Sequence, residues 1–139
     1  MSDVKVSSPR AEPLSFTKAI VADLQAMATF YQTVFGLKDV MRVRGNIAGA
    51  AHNEIILSPT GEMMPSSTFV LLQFIDRAPP PASDSILGFI TPDLDALLRR
   101  VRTAGGGVVQ ESRTMAGLGI KVGFATDPEG RLLELVQML

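Results

Sequence analysis

The hydrophobic and polar positions divide the chain into two stretches with the same order of elements. In each stretch a short apolar strand (14–22, then 86–91) leads to an aspartate, Asp23 or Asp93. Apolar residues then recur at helical spacing, as one buried helix face requires. Aspartate is a preferred N-cap residue because its carboxylate accepts hydrogen bonds from the N–H groups of the first turn. The pattern predicts helices at 23–35 and 93–104 and indicates an internal duplication.

Each predicted helix is followed by three apolar runs that are bounded by turn residues. The predicted strands are 38–44, 53–57 and 68–75 in the first half, and 107–111, 120–126 and 131–138 in the second. A proline-rich linker at 78–82 separates the halves. The predicted fold class is therefore α+β, with a βαβββ module at about 14–77 and another at about 83–139. The polar residues 1–13 are predicted to form a flexible N-terminal tail rather than a signal peptide.

Composition narrows the function classes. A chain of 139 residues with 46% hydrophobic and 19% charged residues can form one domain with a substantial core. The net charge of −1, without a basic stripe, argues against nucleic acid as a partner. The absence of cysteine excludes disulfides, thiolate metal sites and cysteine nucleophiles, and it fits a cytoplasmic location. The sequence contains no apolar run of about twenty residues, so no membrane span is predicted.

The last predicted strand carries a single carboxylate. It follows the turn Asp127-Pro128-Glu129-Gly130 and has the sequence Leu132-Leu133-Glu134-Leu135-Val136. Alternation places Glu134 on one face, with Leu133 and Leu135 on the other. A charged carboxylate between apolar neighbours must meet water, a cation or a metal. Glu134 is therefore a candidate site residue, unless this face of the sheet is simply in contact with water.

Taken together, these motifs resemble the vicinal-oxygen-chelate superfamily from about residue 14 to 139. That group includes glyoxalase I, extradiol dioxygenases, fosfomycin-resistance enzymes and bleomycin-binding proteins. The resemblance rests on the two βαβββ halves, the aspartate-leucine helix openings, the end of the first helix at 30–37 and the turn at 127–130. It implies a curved sheet around a central cleft with helices outside, a small organic molecule as ligand, and a homodimer.

The resemblance also implies where metal ligands would lie, on the first and last strands of each module. The corresponding residues are Phe16, Gln73, Ile86 and Glu134, of which two are hydrocarbons that cannot bind a cation. We therefore predict no metal and no cofactor. The lone histidine, His52, could form an atypical site with Gln73 and Glu134, but a partly exposed histidine at a strand end is the favoured interpretation.

Alternation along the strands predicts the lining of the cleft. The predicted ligand-binding residues are Phe16, Lys18, Phe69, Leu71, Gln73, Ile86, Gly88 and Glu134. Lys18 could form an ion pair with Glu134 or hold an anionic group of a ligand.

Two functions fit this apolar cleft with its few polar groups. The favoured hypothesis is a metal-independent protein that binds a largely apolar or aromatic molecule. The alternative is a glyoxalase-like lyase or isomerase, in which Glu134 acts as acid or base together with Lys18 or His52. The sequence alone leaves open whether the protein is an enzyme.

Overall fold

The predicted order of elements is present in the computed structural model, which describes residues 14–64 and 66–139; the predicted tail at 1–13 lies outside this part. The first module contains β1 (Phe16–Ile20), α1 (Leu24–Phe35), β2 (Lys38–Ile47), β3 (Ala50–Ser58) and β4 (Thr68–Phe74). The second contains β5 (Leu87–Ile90), α2 (Leu94–Thr103), β6 (Gly107–Met115), a short 3-10 helix (Ala116–Leu118), β7 (Ile120–Thr126) and β8 (Leu132–Met138). The α+β fold of tandem βαβββ modules is confirmed.

The two modules form four-stranded sheets with the same topology. The strand orders are β1-β4-β3-β2 and β5-β8-β7-β6. In each sheet the first strand runs parallel to the last, and the other neighbours are antiparallel. A parallel pair requires a crossover connection, and α1 and α2 belong to these crossovers.

Both helices begin in the same way. Asp23 accepts a hydrogen bond from the Ala26 N–H at 3.0 Å, and Asp93 accepts one from the Ala96 N–H at 3.1 Å. A glutamine from the last strand of the same module supplies a second acceptor. The side-chain oxygen of Gln73 accepts from the Leu24 N–H at 3.3 Å, and that of Gln137 accepts from the Leu94 N–H at 2.9 Å. These bonds satisfy N–H groups that have no partner within the helix and fix each helix to its own sheet.

The turn before the last strand is also repeated. Asp127-Pro128-Glu129-Gly130 has a counterpart in Ser58-Pro59-Thr60-Gly61, and both glycines have φ of 87°. The Ser58 hydroxyl accepts from the Gly61 N–H at 3.0 Å, as the Asp127 carboxylate accepts from the Glu129 N–H at 2.9 Å. Serine in place of aspartate, and a longer loop to β4, hide this second copy of the turn in the sequence.

Strands β2 and β3 form a longer hairpin than the sequence predicts. They continue to a two-residue turn at Ala48 and Gly49, where both residues have positive φ (50° and 88°). The Asn46 side chain accepts from the Gly49 N–H at 2.8 Å and closes the turn. Such turns usually have the sequence Asn-Gly. Here alanine takes the place of asparagine, and because alanine rarely adopts a positive φ, the sequence did not indicate a turn at this point.

One face of each sheet packs against the helices and contributes to a single core that spans both modules. Its fully buried large side chains include Met27, Phe30, Tyr31, Leu57, Leu71, Leu94, Leu98, Leu133 and Leu135. We call this the helix side of the sheets, and the opposite one the open face.

A buried ion pair on the helix side connects the modules. Arg131 Nη1 donates to Asp127 Oδ2 at 2.6 Å, with both side chains almost fully shielded from water. Tyr31 of α1 donates its hydroxyl to the same oxygen at 2.8 Å, and Arg131 Nη2 donates to the carbonyl of Ile20 at 3.0 Å. Burial, followed by the nearby Asp127 charge, raises the pKa of Tyr31 far above its ordinary value.

The same turn also binds the start of α1. The Glu129 carboxylate accepts from the backbone N–H groups of Ala22, at 2.9 Å, and Asp23, at 2.8 Å. The turn of the second module therefore fixes the junction between β1 and α1 in the first module.

Candidate functional site

The open face of β8 presents Glu134. Leu133 and Leu135 are fully buried on the helix side, so Glu134 lies half-buried on the open face, as alternation predicted. Within the part of the chain that the structure describes, its carboxylate has no hydrogen-bond or ion-pair partner. Its partner in the parallel register is Gly88, where an added Cβ would meet nothing closer than the Glu134 carbonyl at 4.0 Å. The carboxylate thus lies beside open space.

Lys18 does not pair with Glu134, which was one of the two roles that the sequence left open for it. Lys18 Nζ lies 2.5 Å from Glu54 Oε2, and the Glu54 side chain is only 6% exposed. Glu54 belongs to β3, and its partner on β4 is Leu72, two residues beyond the partner of Lys18, Val70. The charge of Lys18 is therefore balanced within the first module and is not free to hold an anionic ligand.

The predicted partial exposure of His52 is also wrong, because His52 is 4% exposed. Since β3 begins at Ala50, His52 lies inside the strand rather than at its end. Its Nε2 lies 3.2 Å from Oε2 of Glu54, which is two residues along the same strand and therefore on the same face. Opposite it is Gly45, where an added Cβ would come within 3.2 Å of His52 Cε1, so glycine makes room for the ring. His52 Nδ1 is buried and has no hydrogen-bond partner among the described residues.

Three residues of β4 that were predicted to line the cleft lie on the helix side. Phe69 and Leu71 are core residues whose partners on β1 are Thr17 and Ala19, and Gln73 is the acceptor at the start of α1. The prediction failed because residues 68–72 are all buried, so the strand carries apolar side chains on both faces. The residues of β4 on the open face are instead Thr68, Val70, Leu72 and Phe74.

This register changes the set of positions where the resemblance implies metal ligands. Glu134 is the parallel partner of Gly88, which lies five residues before Asp93; the residue five before Asp23 is Lys18, and its partner is Val70. The residue equivalent to Glu134 is therefore Val70, whereas Gln73 is equivalent to Gln137.

The residues present do not fit a metal. The four implied positions hold Phe16, Val70, Ile86 and Glu134, which provide one ligand group in total. The alternative set of His52, Gln73 and Glu134 fails because Gln73 lies on the helix side. Among the described residues, no three His, Cys, Asp or Glu side chains are grouped to hold a metal ion. A transition metal needs more ligands than this face supplies.

Hydrocarbon dominates the open face near Glu134. Phe16 and Ile86 are each 55% exposed, and Ile90 is 74% exposed. Exposed apolar surface of this kind marks a site for a ligand or a second protein chain.

In the part of the chain that the structure describes, neither helix is long and apolar enough to cross a membrane.

Comparison with solved structures identifies the fold independently of the motifs. A glyoxalase family protein from Bacillus cereus superposes with a TM-score of 0.77 at 16% identity, with 99% of each chain covered. Glyoxalase I from Zea mays (the E144Q mutant) gives a TM-score of 0.72 at 18% identity, with 92% of this chain covered and 48% of the maize chain. The trypanothione-dependent glyoxalase I from Leishmania major gives a TM-score of 0.71 at 18% identity, with 91% of this chain and 87% of that chain covered.

These likenesses establish the fold alone, because every identity is below one fifth. The chain spans about half the length of the maize enzyme. A comparison with curated proteins gave no match. The model of the Glyoxalase/Bleomycin resistance protein/Dioxygenase superfamily matches residues 14–135, which is most of the chain. The chain therefore belongs to this superfamily, the vicinal-oxygen-chelate proteins.

Proposed function

We propose that this chain is a metal-independent binding protein for a small, largely apolar or aromatic molecule, held on the open face around Glu134. The observation that carries the proposal is the set of residues at the implied ligand positions. Phe16, Val70 and Ile86 offer hydrocarbon where metal-using relatives would need ligands, and Glu134 alone offers oxygen. Side chains that cannot bind a cation can bury the apolar part of a ligand.

The first test is metal content. Protein purified without added metal should contain far less than one equivalent of zinc, nickel, manganese or iron, because one carboxylate makes a weak site. Elemental analysis of the wild type and of Glu134→Gln gives the answer. One equivalent of metal in the wild type, absent from the variant, would contradict the proposal.

A ligand screen supplies the positive evidence. Binding to the folded state alone raises thermal stability with ligand concentration. Small aromatic and aliphatic compounds should therefore raise the melting temperature of the wild type. Substitution of Gly88 by leucine should abolish this shift, since its side chain would fill the open space beside Glu134. Gly117→Ala, in the short helix before β7, is the control.

One observation favours a second candidate, an acid–base lyase or isomerase. Glu54 lies against His52 Nε2, and a carboxylate in this position orients an imidazole as a general base. In that case His52→Gln should lower turnover of a substrate at least a hundredfold while leaving its binding intact. The binding hypothesis is favoured because Glu54 Oε2, the atom beside His52 Nε2, is already paired with Lys18 Nζ at 2.5 Å, so its charge is less able to stabilise a protonated imidazole.

We also expect a homodimer in solution. Leu118, Met138 and Leu139 are each more than 60% exposed, and the hydrogen bond from the Leu139 N–H to the Gly119 carbonyl brings them together at one end of the second sheet. A second copy of the chain would remove this apolar surface from water. Sedimentation should show a dimer at micromolar concentration, and lysine at both Leu118 and Met138 should shift it toward the monomer. A wild-type monomer of 14.9 kDa would contradict the expectation.

A further inference from the structure

The strongest unassigned feature is a row of side chains across the second sheet. Glu134 on β8 has Phe124 as its partner on β7, and Phe124 in turn has Gln110 as its partner on β6. On the other side of Glu134 the row ends at Gly88, which has no side chain. A phenyl ring on the open face is thus flanked by a carboxylate and an amide.

Both polar ends of this row lack a partner. The half-buried Glu134 carboxylate forms no ion pair or hydrogen bond with residues 14–64 or 66–139. The Gln110 amide nitrogen is shielded from water and likewise has no acceptor within these residues. Buried polar groups in folded proteins normally have hydrogen-bond partners, so the unpartnered Gln110 amide nitrogen, in one row with the half-buried Glu134 carboxylate, indicates that another molecule supplies an acceptor.

The charges nearby decide which molecule fits. Lys18, which the sequence suggested as a possible partner for Glu134, is instead paired with Glu54 at 2.5 Å. Arg113 also points to the open face, but it lies on the outermost strand opposite Val122 and forms no ion pair with Glu134. Within residues 14–64 and 66–139, no cation therefore balances the negative charge of Glu134, and the ring of Phe124 beside it also attracts cations.

We propose, on the basis of the proposed small-molecule function, that the ligand is an aromatic ammonium compound. Its ammonium group binds Glu134, and its ring lies against Phe124 and the neighbouring apolar side chains. Because the Gln110 amide nitrogen is shielded, the Gln110 side chain turns toward the ligand on binding and donates a hydrogen bond to an oxygen at the ligand's other end. The strands that carry Glu134 and Gln110 are separated by about 10 Å, twice the spacing of neighbouring strands. A molecule with one aromatic ring between the two polar groups spans this distance.

Matched probes test the charge. Tyramine carries an ammonium group and a phenol; in 4-(2-hydroxyethyl)phenol the ammonium is replaced by a hydroxyl, and in phenethylamine the phenol oxygen is absent. The wild-type chain should bind tyramine at least about tenfold more tightly than the neutral alcohol, because hydrogen bonds to a charged partner are the stronger ones. Affinities are measured by NMR titration at neutral pH and low salt.

Variants locate the two contacts. Glu134→Gln keeps the shape and removes the charge, so it should bind tyramine and the alcohol equally. Gln110→Leu should bind tyramine no better than phenethylamine. Glu62→Gln, which removes an exposed carboxylate in the β3–β4 loop, should behave as the wild type.

The outcomes separate this inference from the proposed function. Equal binding of tyramine and the alcohol by the wild type, or a preference that survives in Glu134→Gln, overturns the ammonium assignment but leaves an apolar binding site in place. If none of the three probes perturbs residues of the open face at millimolar concentration, both the assignment and the proposed function fail.

Discussion

Replacement of Arg131 by methionine should lower the free energy of unfolding by about 3–5 kcal/mol. The reason is the Asp127 carboxylate, which is fully shielded from water and would lose the cation paired with it. The same substitution removes the hydrogen bond from Arg131 Nη2 to the Ile20 carbonyl, one of the contacts between the modules. A buried charge left without its partner costs far more than the intact pair contributes.

Urea denaturation of the wild type and the variant measures this loss. The matched control is Arg102→Met, since Arg102 forms an ion pair with Glu111 in which both side chains are more than half exposed. An exposed pair of this kind contributes less than about 1 kcal/mol. Similar losses in the two variants would show that the Asp127–Arg131 pair does not hold the modules together. Adding Asp127→Asn to Arg131→Met should recover part of the loss, because the unpaired charge is then gone.

Tyr31 should remain un-ionised for as long as the protein stays folded at high pH. Burial and the Asp127 carboxylate raise its pKa, whereas the pKa of tyrosine in the unfolded chain is about 10. The folded state therefore keeps a proton that the unfolded state loses. The stability linked to Tyr31 is fully present below pH of about 10, and above it falls by about 1.4 kcal/mol per pH unit.

This titration is directly observable because the chain contains one tyrosine and no tryptophan. The ultraviolet absorbance of the phenolate should appear together with the loss of circular dichroism, in one transition above pH 10. Phenolate that appears near pH 10 while the dichroism is unchanged would show that Tyr31 is accessible to solvent.

The variant Tyr31→Phe separates the contribution of the hydroxyl hydrogen bond to stability from that of the buried ring. The variant should lose about 1–2 kcal/mol at neutral pH, since Asp127 Oδ2 keeps Arg131 as a donor. Unfolding of this variant at high pH releases no phenol proton, so its stability should fall less steeply above pH 10.

The sequence determined the local elements because their signals are local. The two N-caps, Asp23 and Asp93, act on backbone groups three residues away, and each apolar helix stripe depends only on spacing. The face of Glu134 was also predictable, because β8 alternates between fully buried leucines and less buried residues. Together these signals were sufficient for the tandem βαβββ fold.

Tertiary structure decided what the sequence pattern could not encode. β4 is buried on both faces, so its hydrophobic pattern does not show which residues share a face. Only the pairing with β1 showed that Gln73 lies on the helix side and Val70 on the open face. The partner of Lys18 depends on the register of three strands, which brought Glu54 rather than Glu134 within reach. Local spacing fixes elements and their faces, but contacts between residues far apart in the chain depend on how those elements pair. That the Glu134 carboxylate has no partner among residues 14–64 and 66–139 was therefore visible only in the folded chain.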